Sequence, residues 1–525
     1  MMKKRILVLG AFLALLATLL SSCGAYAPKG EIAGPDGAED QMNFAPAAPA
    51  EEVEAKPEAS EAAGDDEGPR KILENSFVDA AVHPVSTFSA DVDTASYSLF
   101  RRLVQKGYTL EELKATAGGC LRTEEMVNYF SYTCPEPTEG IFGIKATVAP
   151  SPYNDTTLLM LTLATQKTES SKKNNLVFLI DVSGSMMSED KLPLLKKAFS
   201  YLVGRLDGDD TVSIVTYSGK EEVVLDGCSG SKSERILQAV NGLSAGGSTN
   251  GEAGLKMAYR LAEAHYIPNG NNRIFLASDG DLNVGASSVE EVRELVSEKK
   301  KSGVYLSVLG FGEGNYRDDM MESIADNGNG VYHYVDSDAE AEKIFGEDLF
   351  ANLYPVADDV KLQLTFRPEV VAQYRLVGYE NRILSEEDFK DDQKDAGELG
   401  AGHCVTVFYE LKLRERTEES AELPFAELAI RWKEPGETKS KEKSFTLEQE
   451  LYTENPDEDF LFATAVVECS ALLRDSAYKG NASFENIQAR LAKLNLEKDF
   501  YKEQFAQLLD TLIKNSSPNE KFAAI

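Results

Sequence analysis

The chain has 525 residues, with 54 Lys and Arg against 87 Asp and Glu, so its formal net charge is −33. Its 42% hydrophobic and 27% charged residues are globular in character, and the length suggests about two to four domains. The acidity excludes nucleic acid as a main partner and excludes peripheral docking on anionic lipid, since both need Lys/Arg surfaces. Four His and six scattered Cys exclude a zinc framework.

The chain opens with Lys3, Lys4 and Arg5, followed by 15 uncharged residues from Ile6 to Leu20. That run is short of the ~20 residues a spanning helix needs and fits the apolar region of a secretory signal. Leu20-Ser21-Ser22-Cys23 resembles the lipobox of bacterial lipoproteins. The resemblance implies that residues 1–22 are a signal peptide, that cleavage precedes Cys23, and that the Cys23 thiol is acylated, anchoring the chain to a membrane of the bacterial envelope. Position 24 is Gly, not the Asp that retains some lipoproteins in the inner membrane, which favours the outer membrane or the cell surface. Loss of the leader takes the net charge from −33 to −36. Residues 24–70 carry 12 Asp and Glu against 3 Lys and Arg, with 12 Ala, 6 Pro and 6 Gly. Such a tract buries too little apolar surface to offset its ordering entropy, so residues 23–75 are expected to be an acylated Cys and a disordered acidic tether.

Residues 76–140 form a small first module. Asp93 is placed to cap a helix through Tyr97, Phe100 and Leu103, and Arg122–Phe130 reads as a second helix. Residues 141–172 hold strands, with Leu159, Leu161 and Leu163 alternating along one. From 173 to 353 the pattern changes. Leu176–Ile180 is a continuous apolar run, as in a parallel strand buried on both faces. Leu192, Leu195, Phe199, Leu202 and Leu206 then repeat at helical spacing. Further strands (Val212–Tyr217, Val223–Leu225, Ile274–Ala277, Val304–Leu309, Val331–Val335) are interleaved with helices at 236–243, 255–264 and 289–296, and a helix over 339–353 closes the unit. This is a doubly wound α/β sheet. Over 354–450 the period becomes two, as in Val360, Leu362, Leu364 and Phe366, then Val405 to Leu413, then Leu428, Ile430 and Trp432, which predicts an antiparallel sandwich. Strands on both flanks of the α/β unit suggest that it is inserted into that sandwich. Residues 451–525 are helical.

The first α/β strand runs into Asp181-Val182-Ser183-Gly184-Ser185. Gly246-Gly247-Ser248-Thr249 precedes a helix, and Ser278-Asp279-Gly280 ends another buried strand. Open α/β sheets bind ligands at this edge. Two carboxylates and three hydroxyls, all hard oxygens, suit Mg²⁺. Asp181, Ser183, Ser185, Thr249 and Asp279 match in order the D-x-S-x-S, Thr and Asp motif of the von Willebrand factor type A domain, which the chain resembles. The resemblance implies a Rossmann-like fold and a metal-ion-dependent adhesion site holding Mg²⁺, alternatively Mn²⁺ or Ca²⁺. It also implies a protein partner whose Asp or Glu completes the coordination. The segments Val85–Tyr97, Arg122–Phe130, Gly310–Tyr316 and Tyr379–Arg382 resemble the YfbK-like group of bacterial lipoproteins carrying this domain, over about residues 76–525.

Other patterns have plainer readings. Asp279-x-Asp281-x-Asn283 with Glu290 mimics an EF-hand loop, but Val284 stands where that loop needs Gly. Asp91-x-Asp93-Thr94 lacks the buried strand of an aspartyl phosphatase. Gly310-x-Gly312-x-Gly314 reads as a turn, not as a dinucleotide loop. Ser183 and Ser185 lie outside any G-x-S-x-G, with only His265 and His333 able to approach them in space. The chain is therefore read as a binding protein and not an enzyme. A structural or assembly role with a purely structural metal is the second reading, and a metallohydrolase the third. Cys120 and Cys134 are close enough in sequence to bridge, whereas Cys404 and Cys469 lie in apolar stretches and read as buried thiols.

Overall fold

The two most apolar runs of the α/β region become neighbouring central strands, Asn174–Asp181 and Asn271–Ser278, paired in parallel with Val177 beside Ile274. The structure, a computed structural model, describes residues 72–167, 172–247, 251–280, 289–312 and 318–517. The leader, Cys23 and the tether up to residue 71 lie outside these. No helix among the described residues is long and apolar enough to cross a membrane.

Among the described residues the α/β sheet runs Tyr332–Val335, Tyr305–Phe311, Asn271–Ser278, Asn174–Asp181, Thr211–Tyr217 and Glu221–Ser229. All pairs are parallel except the last, an antiparallel edge longer than the three residues expected. Phe178 and Ile180 face the helices Leu192–Val203 and Ser233–Asn241. The alternate residues Val177 and Leu179 face Gly251–Ala264, Val289–Lys300 and Asp318–Asn327. Burial on both faces is why these strands read as unbroken apolar runs. The chain leaves Asn174–Asp181 for one neighbour and later returns to the other, so strand order reverses beside Asp181. The closing segment, expected as one helix, is three pieces: Asp338–Glu342, a wide turn Lys343–Glu347, and Leu349–Leu353. The wide turn keeps Ile344, Phe345, Leu349 and Leu353 in one core.

The sandwich encloses this insertion. One sheet runs Val78–Asp79, Val371–Val377, Cys404–Leu413, Thr157–Thr165 and Phe142–Pro150. The other runs Ile383–Leu384, Val85–Ser89, Pro355–Phe366, Ala426–Lys433 and Ser440–Leu447, with Gly397–Gly400 beside Pro355–Phe366. Leu159, Leu161 and Leu163 point inward with Leu362, Leu364, Val405 and Val407. Leu158 and Met160, on the other face, pack on helices. Those helices come from both ends of the described chain: Ala95–Gln105 and Thr123–Asn128 share one core with Glu458–Leu473 and Phe500–Ser516, where Phe130 meets Phe462 and Phe505.

Two local expectations are corrected. Asp93 does not cap the helix Ala95–Gln105; its carboxylate accepts the backbone N–H of Tyr332 at 2.9 Å. The disulfide joins Cys134 to Cys404, not to Cys120, and Cys404 is no thiol. Gly143, Ala164 and Cys404 lie in one row across three strands. The Pro135 carbonyl packs on Gly143, so close that a Cβ there would sit 2.2 Å from it. The segment after the helix Thr123–Asn128 therefore crosses this row, which brings Cys134 over Cys404. Cys469 is buried, as expected from its apolar surroundings, and burial pushes its thiol up.

Candidate functional site

Asp181 ends the central strand, fully buried, opposite Tyr217 in the parallel register. One of its carboxylate oxygens accepts the Ser183 N–H at 2.8 Å, which turns the chain sharply out of the strand. The other is buried and has no hydrogen-bond partner. A buried carboxylate oxygen in that state is costly unless a cation meets it. Burial, more than the repulsion from Asp279, pushes the Asp181 carboxyl up to about 6 against the pull of the Ser183 donors and of the nearby Tyr217 hydroxyl. Ser183 is buried and Ser185 exposed, with their hydroxyls 2.9 Å apart, so oxygen ligands lead from the floor of the site to its mouth.

The second loop is tied to the first by backbone bonds. Gly184 N–H donates to the Gly247 carbonyl at 3.2 Å, and Gly246 N–H donates to the Val182 carbonyl at 2.7 Å. Gly247 has φ +87, and a Cβ on it would lie 3.1 Å from the Ser218 hydroxyl; glycine is what permits this approach. These bonds bring the stretch just before Thr249 onto the Asp181 loop, while Thr249 itself lies outside the described residues. Asp279 follows the strand Asn271–Ser278 and is buried, with one carboxylate oxygen 2.9 Å from the Lys191 ammonium. The structure thus brings together four of the five sequence-derived ligands. The set fits a hard divalent cation: oxygen donors only, two carboxylates to balance its charge, and one of them with an unspent buried oxygen. Among the described residues no group of three or more His, Cys, Asp or Glu side chains is arranged to hold a metal, here or elsewhere.

Sequence reasoning missed two residues at this rim. Lys191 opens the helix Leu192–Val203. Arg102, from the helix Ala95–Gln105, bonds the Asp190 carboxylate at 2.5 Å and the Gly312 carbonyl at 2.7 Å. A cation at a helix N-terminus runs against the helix dipole, and that mismatch at Lys191 was the available signal. Arg102 had none, because it is joined to the site only by the tertiary fold.

The alternative readings do not assemble. His265 pairs with Asp226 at 2.6 Å, and His333 is buried near Asp348 and Lys343, its pKa lowered to about 4 by burial. Asp91 and Asp93 both pair with Arg382. Asp281, Asn283 and Val284 of the EF-hand-like stretch lie outside the described residues.

Comparison with known proteins gives three family matches: a von Willebrand factor type A domain over residues 175–347, a von Willebrand factor model over 64–161, and "Uncharacterized protein YfbK, C-terminal" over 351–514. Uncharacterized protein YfbK of Escherichia coli (strain K12) is 38% identical over 465 residues, which is 83% of this chain and 79% of that one. Inter-alpha-trypsin inhibitor heavy chain H3 of Homo sapiens is 30% identical over 178 residues, 32% of this chain and 20% of that one. Among solved structures, a von Willebrand factor type A protein from Catenulispora acidiphila matches with TM-score 0.41 and 15% identity, covering 74% of this chain and 91% of that one.

Proposed function

Because the chain belongs to the YfbK-like family of von Willebrand factor type A proteins, whose domain points to interaction and not catalysis, we propose that it binds a protein partner through a divalent cation held by Asp181, Ser183, Ser185, Thr249 and Asp279. The observation that carries this reading is the buried, partnerless oxygen of Asp181 at the reversal point of the sheet, beside two hydroxyls. Bound there, the cation supplies a Lewis-acidic centre for an Asp or Glu of the partner. Asp181 and Asp279 balance its charge, Ser183 and Ser185 bring oxygen to it without adding charge, and Met187, 68% exposed beside them, offers apolar surface. Calorimetric titration of the full chain with Mg²⁺ tests this: a single saturable site is expected, absent in Asp181→Ala. Equal binding by both proteins overturns it. Partner capture that persists unchanged in EDTA instead favours a structural metal.

The same proposal places the chain in the bacterial envelope, anchored through Cys23 to the outer membrane or cell surface. The Leu20–Cys23 sequence supports this, as does the Cys134–Cys404 bridge, since disulfides persist in oxidising compartments. Membrane fractionation of cells expressing Cys23→Ser should find the protein released from the membrane pellet. Retention equal to that of the unaltered chain removes the anchor.

A further inference from the structure

Lys191 is built into the rim with more support than an incidental surface lysine has. Its ammonium lies 2.9 Å from an Asp279 carboxylate oxygen, with side chains 11% and 4% exposed. Its methylene stem lies on Gly312, where φ is +79 and a Cβ would fall 2.0 Å from the lysine Cε. Only glycine leaves that channel open. The Lys191 N–H donates to the Ser188 carbonyl at 3.1 Å. Arg102 holds both walls at once, through Asp190 on one side and the Gly312 carbonyl on the other. Three separate elements therefore aim one positive charge at a carboxylate of the candidate cation site, although that charge opposes the dipole of the helix it begins.

Charge counting shows what this does. Asp181 and Asp279 alone would be neutralised by a divalent cation, and a partner carboxylate would then make the site net negative. With Lys191 the site without metal is less negative and attracts a cation less. The loaded site is net positive, and the partner's carboxylate neutralises it. We propose that Lys191 is a tethered counter-cation that shares Asp279 with the metal, weakening metal binding alone and strengthening the binding of metal and acidic partner together. This rests on the metal-site reading above. Coupling of this kind is reciprocal: metal raises affinity for the carboxylate as much as the carboxylate raises affinity for metal.

The test is calorimetric Mg²⁺ titration of the full chain, Lys191→Met and Lys191→Arg, each with and without acetate as the carboxylate probe, with circular dichroism as the control for folding. Lys191→Met should bind Mg²⁺ about tenfold more tightly than the unaltered chain, as expected for removal of one nearby like charge. Lys191→Arg, which keeps the charge, should stay close to the unaltered affinity. Acetate should tighten Mg²⁺ binding in the unaltered chain and do so less in Lys191→Met. If the unaltered chain binds Mg²⁺ and Lys191→Met binds it no more tightly, the inference falls and the metal reading stands. If neither folded protein binds Mg²⁺, the metal reading itself falls. If only Lys191→Met binds it, the ammonium replaces the metal and sharing is overturned.

Discussion

Two acidic regions of this molecule settle their charge in opposite ways. At the edge of the α/β sheet, Asp181 keeps a buried oxygen without a hydrogen bond, and Asp279 is met by the Lys191 ammonium. Around Arg382, four carboxylates converge on one guanidinium: Asp91 at 3.2 Å, Asp93 at 3.3 Å, Glu322 at 3.4 Å and Asp326 at 2.9 Å. Glu322 is also held at 2.5 Å by Arg122, which bonds Glu125 as well. The difference teaches what an acidic cluster means. Where the chain supplies the planar fork of an arginine, the carboxylates are structural and lock the first helices to the α/β domain. Where it supplies only part of the balancing charge, the carboxylates are those we propose to hold an external cation.

The largest effect should come from breaking the saturated region. Arg382→Met leaves Asp91, Asp93, Glu322 and Asp326 crowded and buried without that guanidinium, a change that costs about 3–5 kcal/mol. Urea unfolding should show a loss of that size, while the folded fraction keeps the arrangement of Asp181 and Asp279. A loss below about 1 kcal/mol, the range of an exposed ion pair, would mean that this region is no more committed than a surface.

How much of this contrast could be read beforehand depends on what kind of pattern carries it. The fold class was readable because burial on two faces writes unbroken runs such as Leu176–Ile180, and burial on one face writes alternation such as Val360 to Phe366. The candidate ligand set could be named because strand-end motifs are local in sequence. Long-range pairings left no such trace. Arg382 reaches its partners from a turn in which Tyr379, fully buried, takes φ +59, a conformation costly for a bulky side chain. The bond between Asn128 and the Tyr379 hydroxyl, and the edge contact with Phe88, brace that turn. None of these partners is near in sequence. The Cys134–Cys404 pairing was hidden for the same reason, with 270 residues intervening. The short spacing of Cys120 and Cys134 suggested a bridge that the path of the chain over Gly143 forbids. Asp93 was misread because a helix start makes an aspartate look like a cap, whereas its tertiary partners, Tyr332 and Arg382, compete for the same oxygens.

A smaller effect sharpens the comparison from within the saturated region. Glu124 is 2% exposed, and the Tyr379 backbone does less to favour its charge than its surroundings do to oppose it. Burial, with repulsion from Glu380, Asp91 and Glu125, pushes its carboxyl up to about 8 from an ordinary 4.5. It therefore takes a proton at neutral pH, where its neighbours take a guanidinium. The sign follows from the raised value. Between about 4.5 and 8 the folded chain holds a proton that the unfolded chain has lost, so this group's contribution is full below about 4.5 and is lost progressively as pH rises from there through about 8. Glu124→Gln keeps the shape and removes the titration. The margin by which it exceeds the unaltered chain in urea stability should grow by about 2–3 kcal/mol between pH 6 and pH 9. A difference that does not change between the two pH values would mean that Glu124 carries its charge in the fold. An arginine or an external cation would then have to balance it too, and the line drawn here between the two acidic regions would disappear.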